Sequence, residues 1–234
     1  MFRSYIPNII TLLNLLSGAL AVYFAMQGKL EWAAGLILAG AIFDFFDGFA
    51  ARLLKAGSPI GAQLDSLADL ITFGMAPAFM LVHVLQLGLP VCDQSNTILQ
   101  QAAPFFPFLL VAFSALRLAK FNVDDSQTTD FKGLPTPANA LFQVSFAFLL
   151  MLYPEFIRIW FVYPVILFFS ILMVSPVSLF GLKKWQGSRL IYSGLLLLWS
   201  VVAIILFQYT AGVYIIMVYI LLSGIQQMLN YKGK

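Results

Sequence analysis

The chain has 234 residues, of which 61% are hydrophobic and 10% charged, and its net charge is +3. Soluble domains carry roughly 25% charged residues, so this composition and a mean hydropathy of +0.92 exclude a soluble fold and indicate an integral membrane protein. One cysteine and one histidine exclude an internal disulfide and a multi-histidine metal site, which leaves carboxylates as the available metal ligands.

Hydrophobic segments of about 20 residues recur along the whole chain. They predict an all-α polytopic membrane protein that forms a single domain over residues 1–234. No cleavable signal peptide is predicted, because the first apolar segment directly follows Pro7 and lacks a small-residue cleavage site. The eight predicted spans lie near residues 9–27, 32–54, 62–87, 102–121, 136–153, 159–181, 188–207 and 211–229.

The first span opens with polar residues at a spacing of three. Asn8, Thr11 and Asn14 therefore share one helical face and can line the entrance to a site. Asn8 has an alternative role as the cap of this helix, and the sequence does not decide between the two.

Two pairs of aspartates stand in the second and third spans, where an unpaired carboxylate costs roughly 2.5–3.5 kcal/mol. Asp44 and Asp47 are three residues apart, and Asp65 and Asp69 are four apart. At 100° per residue each pair lies within about 60° around its helix axis and shares a face. Something must compensate these four charges.

The segment between the two pairs predicts how they meet. Residues 53–60 contain the glycine, serine and proline of a short turn, which would join the two spans as antiparallel helices. Four carboxylates across one interface suit two Mg²⁺ or Mn²⁺ ions about 4 Å apart, the arrangement used for phosphoryl displacement. Gly74 and Pro77 predict a kink further along the third span.

Small residues continue each acidic face. Gly48 and Ala51 stand one turn beyond Asp44 and Asp47, and Gly61 stands one turn before Asp65. They predict a groove in which a flat ligand can lie, or alternatively a surface for close helix packing. Arg52 stands at the end of the second span, where it can either contact the ligand or anchor the helix at the membrane surface.

The fourth span ends in polar residues that are candidates for binding an acceptor. Arg117 and Lys120 share a face and can hold a carboxylate, or simply follow the excess of cations in cytoplasmic loops. Asn122 can orient a polar group or cap the helix. Thr136 followed by Pro137 predicts the N-cap of the fifth span.

The distribution of lysine and arginine predicts the orientation. Two cationic residues, Lys29 and Arg158, fall on one side of the predicted topology and eleven on the other. The side with eleven is predicted to be cytoplasmic, with both termini and the aspartates there, in the cytoplasmic (inner) membrane. Its basic rim suits anionic lipid headgroups, and no nucleic acid is expected as a partner. The eleven are Arg3, Arg52, Lys55, Arg117, Lys120, Lys132, Lys183, Lys184, Arg189, Lys232 and Lys234.

The aspartates and their neighbours resemble the signature of the CDP-alcohol phosphotransferase family. Residues 44–69 fit D-x2-D-G-x2-A-R-x8-G-x3-D-x3-D at all eight positions, which are Asp44, Asp47, Gly48, Ala51, Arg52, Gly61, Asp65 and Asp69. The resemblance implies an enzyme that displaces CMP from a CDP-linked lipid, with a six-helix core and usually a homodimer. The core would cover residues 1–184, and residues 185–234 would form an additional helix pair.

The resemblance also implies roles for individual residues. Asp44, Asp47, Asp65 and Asp69 would bind the two divalent cations, and Asp69 would also act as the base that deprotonates the acceptor. Gly48, Ala51 and Gly61 would accommodate the CDP group, with Arg52 near its phosphates and Asn8 and Thr11 at its entrance.

Further segments resemble the phosphatidylserine synthase branch of this family, namely those at 65–78, 115–122, 131–140 and 173–183. They imply CDP-diacylglycerol and L-serine as substrates, with Arg117, Lys120 and Asn122 binding the serine. Glycerol 3-phosphate and inositol phosphate are alternative acceptors for the same chemistry. A divalent-cation transporter is a remote alternative, because intramembrane carboxylates also line ion pathways.

Overall fold

The computed structural model describes residues 2–56, 58–88, 103–123, 131–179 and 188–232, and these contain eight helices. Residues 89–102, which contain most of the predicted connection between the third and fourth spans, lie outside the described residues. The helices are α1 Phe2–Met26, α2 Leu30–Leu53, α3 Pro59–Gly88, α4 Phe108–Val123, α5 Thr136–Leu152, α6 Ile159–Val174, α7 Ser188–Phe207 and α8 Ala211–Lys232.

One end of the bundle, called the site end here, gathers the α2–α3 turn and the ends of three further helices. Ser66 near the start of α3 is hydrogen-bonded to Asn122 at the end of α4, with an Asn122 Nδ2 to Ser66 Oγ distance of 2.9 Å. The chain before α5 reaches the end of α6 through a bond from Leu134 N to Leu172 O of 3.1 Å. Successive helices therefore alternate in direction, as expected for membrane spans.

The opposite end of the bundle collects the other turns. Gly28, in the α1–α2 turn, packs against His83 in the last part of α3. Phe148 near the end of α5 stacks on Tyr209 in the α7–α8 turn, with 4.9 Å between ring centroids. Trp199 Nε1 donates to Tyr214 O at 3.2 Å, so α7 and α8 form an antiparallel hairpin.

The predicted spans agree with the helices except at their ends. Four helical segments are long and apolar enough to cross a membrane, Tyr5–Met26, Leu30–Leu53, Pro59–Gly88 and Tyr192–Met228, and the last turns back at Gln208–Thr210. Thr136–Leu152 and Ile159–Val174 are apolar but shorter. The sixth span ends at Val174 and not at residue 181, because the next five residues include Pro176 and adopt non-helical backbone.

The start of α1 rules out one of the two roles predicted for Asn8, that of a helix cap. The helix begins at Phe2, so Pro7 and Asn8 lie inside it. A proline this close to the N-terminus removes one backbone hydrogen bond without ending the helix. Asn8 therefore does not cap α1, and its side chain is available to the neighbouring helices.

Within the described residues the bundle is all-α apart from one short antiparallel ladder, in which Phe131–Lys132 pairs with Ser178–Leu179. Gly133 follows the ladder with φ +76 and donates its N–H to Val177 O at 2.8 Å. A Cβ at Gly133 would collide with the carbonyl of Met173. The chain entering α5 is thus fixed against the end of α6, which positions the first turn of α5.

In α3 a π-helical turn, Leu70–Met75, lies at the position of the predicted kink. Pro77 has no N–H to donate to the carbonyl four residues back, and its ring would clash there. The wider turn accommodates this, with Ala76 N donating to Ile71 O, five residues back. The π turn follows Asp69 directly.

The core lies around α3 and α5, while the outer faces carry exposed apolar side chains. Met80, Leu81 and Leu85 of α3 and Leu150 of α5 are fully buried. Large apolar residues such as Leu16 are more than half exposed on the periphery. Exposed apolar surface of this extent suits contact with lipid.

Three helices meet closely at Thr72 in the π turn. Its hydroxyl donates to the carbonyl of Asn14 at 3.0 Å, which joins α3 to α1. A Cβ at Gly18 would lie 2.7 Å from Thr72 Cα, and one at Gly40 would lie 2.9 Å from Asn14 Oδ1. The two glycines therefore allow α1 and α2 to approach the π turn.

Replacing Gly18 by alanine is expected to destabilise the protein by about 1–3 kcal/mol, because the new methyl group meets the backbone of Thr72. Thermal unfolding in detergent measures the change. Gly35→Ala is the matched control, since a Cβ at Gly35 meets no atom within 4 Å. Equal midpoints for the two variants would contradict this account of the packing.

Candidate active site

Three aspartates converge where α2 and α3 face each other at the site end. Each of Asp44, Asp47 and Asp65 offers a carboxylate oxygen, and these oxygens all lie within 4.8 Å of one another. Their i, i+3 spacing places Asp44 and Asp47 on one face of α2. Ser58 caps α3 by accepting from Gly61 N at 3.0 Å, which starts that helix so that Asp65 meets them.

The chemistry of this cluster fits a divalent cation. Asp47 Oδ2 and Asp65 Oδ1 are buried without a hydrogen-bond partner. No lysine or arginine in the described ranges forms an ion pair with the three carboxylates. Like charges at this separation repel one another, and oxygen ligands suit Mg²⁺ or Mn²⁺. The cluster is therefore a candidate cation site.

Asp69 lies beside the cluster but outside the group of mutually close oxygens. It is 9% exposed, and its Oδ1 accepts a hydrogen bond from Asn14 Nδ2 at 3.3 Å. Thr72 binds the Asn14 carbonyl and so fixes the same stretch of α1. The spacing of Asn8, Thr11 and Asn14 predicted that Asn14 lies on the face of α1 that lines the site. The sequence did not predict that Asn14 binds Asp69.

A groove of about 210 Å³ opens from the cluster between α1, α2 and α3. Its lining brings together most of the predicted ligand-binding residues, namely Asn8, Thr11, Asp47, Gly48, Ala51, Gly61 and Asp65, together with Pro7, Ala56, Ser58 and Ala62. Small side chains therefore border the carboxylates, as the sequence predicted.

Gly48 and Gly61 differ in how much space surrounds them. A Cβ at Gly48 would lie 3.9 Å from both terminal nitrogens of Arg52, so the Arg52 guanidinium extends back along α2 beside the groove. A Cβ at Gly61 would lie 3.1 Å from both Asn8 Oδ1 and Ser58 Oγ. Gly48 thus leaves open space, whereas Gly61 permits a close approach of α1.

Arg117 is directed into the bundle. Its Nη1 donates to Thr136 Oγ1 at 2.7 Å, and its Nε is buried without a partner. The predicted N-cap role of Thr136 is wrong, because α5 has Pro135 at its N-cap and Thr136 makes no capping bond. The reason is tertiary, since the Thr136 hydroxyl is fully buried against Arg117 of α4.

The other two acceptor candidates lie at the surface. Lys120 is exposed, and Asn122 is exposed and shares hydrogen bonds with Ser66. Asn122 does not end its helix, which continues through Val123. The structure therefore brings Arg117 into the bundle and leaves Lys120 and Asn122 outside it.

The last helix approaches Arg117, which the sequence did not predict. Gly212 N donates to Ser145 Oγ at 3.1 Å, so α8 packs closely on α5. Two turns further along α8, Tyr219 is level with the first turn of the antiparallel α5. Tyr219 is 7% exposed there, level with the turn of α5 in which Thr136 binds Arg117.

The helices and the carboxylate cluster define a class of protein, a polytopic membrane protein with a candidate cation site beside an open groove at one end of the bundle. Residues 4–177 match the CDP-alcohol phosphatidyltransferase family. The chain belongs to this family. The match includes the cluster, Asp69 and the groove, and it ends before α7.

Curated relatives are similar to the chain over much of its length. A protein of Bacillus subtilis (strain 168) named CDP-diacylglycerol–serine O-phosphatidyltransferase is 37% identical over 138 residues, which cover 57% of this chain and 70% of the relative. Proteins of the same name from Mycobacterium bovis and Methanocaldococcus jannaschii are 33% and 35% identical, and the alignments cover 60% and 63% of those relatives.

Proposed function

We propose that this enzyme transfers the phosphatidyl group of CDP-diacylglycerol to the hydroxyl of L-serine, forming phosphatidylserine and CMP. The observation that carries the proposal is the aspartate cluster opening into a groove of small residues, within the part of the chain that matches the family. The names of the relatives support serine as the acceptor.

The aspartates would hold two divalent cations, with Asp44, Asp47 and Asp65 as ligands and Asp69 as a fourth ligand at the edge of the cluster. Bound cations of this kind neutralise the diphosphate and stabilise the charge that develops on the departing CMP. Asp44, Asp47 and Asp65 thus place the diphosphate at the site end of the bundle, next to Asp69.

Asp69 would be the general base. Its Oδ1 is held by Asn14, which leaves Oδ2 to take the proton of the serine hydroxyl. The serine oxygen forms a bond to the phosphorus that carries the diacylglycerol, and the bond from that phosphorus to the CMP oxygen breaks. The products are phosphatidylserine, CMP and the proton on Asp69, which returns to solvent.

The groove would bind the CDP group. Gly48 and Ala51 leave room for the cytidine, Asn8, Thr11 and Gly61 form the opposite wall, and Arg52 extends beside Gly48 toward the phosphates. The acyl chains would stay in the lipid beside the groove.

Gly48→Leu is expected to raise the KM for CDP-diacylglycerol at least about tenfold, because the side chain fills the groove, and overpacking costs about 1–3 kcal/mol. Gly35→Leu on the exposed face of the same helix is the control. Steady-state CMP release at varied lipid concentration measures both variants. Unchanged KM in Gly48→Leu would place the nucleotide elsewhere.

We infer that Arg117 holds the serine carboxylate, since a guanidinium can form two parallel hydrogen bonds to it. Acceptors that carry a phosphate would need more cationic groups near the site than Arg117 and Lys120 supply. Lys120 and Asn122 stay predicted acceptor residues, to be tested by the KM for serine in Lys120→Ala and Asn122→Ala.

The site end is proposed to face the cytoplasm. Arg52, Lys55, Arg117 and Lys120 lie there, whereas Lys29 lies at the opposite end, a distribution typical of cytoplasmic surfaces. A catalytic core over residues 1–184 with an additional helix pair over 185–234 agrees with the family match ending at residue 177. The family resemblance also implies a homodimer, and light scattering of the protein in detergent would test this prediction.

An acceptor panel tests the proposal. Purified protein in detergent receives CDP-diacylglycerol, Mg²⁺ or Mn²⁺, and L-serine, glycerol 3-phosphate or inositol phosphate separately. CMP release with serine alone is expected. If CMP is released only with a phosphorylated acceptor, the transfer chemistry stands but serine is not the acceptor. If no acceptor gives CMP release, the result favours the divalent-cation transporter alternative.

A further inference from the structure

A polar stripe runs along the first two turns of α5 inside the helix bundle. Thr136, Asn139 and Gln143 each have an exposed fraction of 0%. Their positions i, i+3 and i+7 place them on one face of the helix. Fully buried polar side chains of this number, in a segment otherwise rich in phenylalanine and leucine, need partners.

The partners within the protein satisfy only part of the stripe. Gln143 Nε2 donates to Asn139 Oδ1 at 3.2 Å, and Thr136 accepts from Arg117. Three buried atoms have no hydrogen-bond partner among the described residues, the donors Arg117 Nε and Asn139 Nδ2 and the acceptor Gln143 Oε1. A buried polar atom without a partner is costly, and a water molecule or a polar group of a ligand can complete such bonds.

The stripe lies beside the proposed base. The helix that carries it packs on the π turn Leu70–Met75, which directly follows Asp69. Arg117 binds Thr136 in the first turn of this helix. One turn before Arg117, Ser114 packs against Gly74 of the π turn, where a Cβ would lie 3.2 Å from Ser114 Cβ. Arg117 and the first turns of α5 therefore lie next to the turn of α3 that follows Asp69, and they are not part of the groove lining.

The unpartnered atoms match the charges of an α-amino acid. Two donors suit a carboxylate, and an amide oxygen suits an ammonium group. We propose that Asn139 and Gln143 form the acceptor subsite together with Arg117, with Arg117 Nε and Asn139 Nδ2 donating to the carboxylate and Gln143 Oε1 accepting from the ammonium group. Thr136 is a positioning residue that holds Arg117. This inference rests on the proposed function.

The double variant Asn139→Leu with Gln143→Met tests the subsite. The substitutions preserve side-chain size and remove both members of the internal amide pair, so a purely structural pair would be replaced at little cost. We expect the KM for L-serine to rise at least about tenfold, while the KM for CDP-diacylglycerol and membrane insertion stay unchanged. Ser193→Ala is the control, since its buried Oγ on α7 also lacks a partner.

Serine analogues distinguish the role of Asn139 from that of Gln143. The single variants are assayed with these analogues, and they also replace the double variant if that protein does not insert into the membrane. Asn139→Leu is expected to reduce the preference for L-serine over serinamide, which lacks the carboxylate. Gln143→Met is expected to reduce the preference for L-serine over glycerate, which lacks the ammonium group. Gln143→Glu keeps an acceptor oxygen and should retain more affinity for serine than Gln143→Met.

Different results overturn different claims. If the wild-type protein uses serine but the variants keep its KM, or raise the KM values of both substrates equally, the subsite is wrong and the proposed function stands. If the wild-type protein releases CMP only with a phosphorylated acceptor, the proposed function fails, and the amino-acid subsite fails with it.

Discussion

The Asp69→Asn protein is expected to insert normally and to lose CMP release by a factor of about 10²–10⁴, the usual contribution of a general base. Asparagine has nearly the same shape as aspartate, and its Oδ1 can still accept from Asn14. The amide nitrogen cannot take a proton from the acceptor hydroxyl. The variant therefore removes the proposed chemistry and preserves the surrounding geometry.

Metal titration distinguishes the base from a ligand. If Asp69 acts as the base, raising Mn²⁺ leaves the rate of the Asp69→Asn variant low, and binding of CDP-diacylglycerol is retained. Single-turnover CMP release at several Mn²⁺ concentrations measures this. If high Mn²⁺ restores the rate of the Asp69→Asn variant, Asp69 acts only as a metal ligand and not as the base. If the variant turns over normally without added Mn²⁺, Asp69 has no role in catalysis.

The second large effect is expected in Asp44→Asn, which removes one of three carboxylates whose oxygens lie within 4.8 Å of one another. Loss of groups that only support a metal ligand costs 10–100-fold in metal affinity. Loss of a ligand should cost at least as much, so the Mn²⁺ concentration for half-maximal activity is expected to rise at least about tenfold.

Thermal stability supplies an independent measure of the same variant. Without metal the three carboxylates repel one another, so Asp44→Asn is expected to raise the unfolding temperature of the metal-free protein. The stabilisation by added Mn²⁺, which depends on its affinity, is expected to fall. Glu31→Gln is the control, because Glu31 is an exposed acidic residue at the opposite end of α2. Equal behaviour of the two variants would contradict the cation site.

Local patterns predicted the bundle and the centre of its site. Apolar segments of membrane-spanning length locate all eight helices, because burial in lipid requires continuous apolar stretches. The spacing within each aspartate pair and the turn between α2 and α3 bring Asp44, Asp47 and Asp65 together, since both depend on helix geometry over few residues. The groove at Gly48 follows from the same geometry.

Contacts between distant segments were not predictable in this way. Thr136 before a proline has the local pattern of an N-cap, yet its hydroxyl binds Arg117, 19 residues earlier. Asn139 and Gln143 look like isolated polar residues in an apolar span until the bundle places them beside α3. The approach of Tyr219 likewise depends on how α8 packs against α5.

The exact shape of α3 was not predictable from the sequence either, for a different reason. Gly74 and Pro77 correctly located a disturbance of the helix, but a proline can be accommodated by a kink, a break or a wider turn. Packing of Gly18 and Gly40 around Thr72 accompanies the wider turn. The choice therefore involves three helices and does not follow from the sequence of one.

The most direct test of the central claim is the conversion of CDP-diacylglycerol with labelled L-serine by the purified wild-type protein, with lipid products and CMP measured together. The account predicts phosphatidylserine and CMP in equal amounts, dependent on Mg²⁺ or Mn²⁺ and absent in Asp69→Asn. CMP release without incorporation of serine into lipid, or conversion that continues in the presence of a chelator, would contradict it.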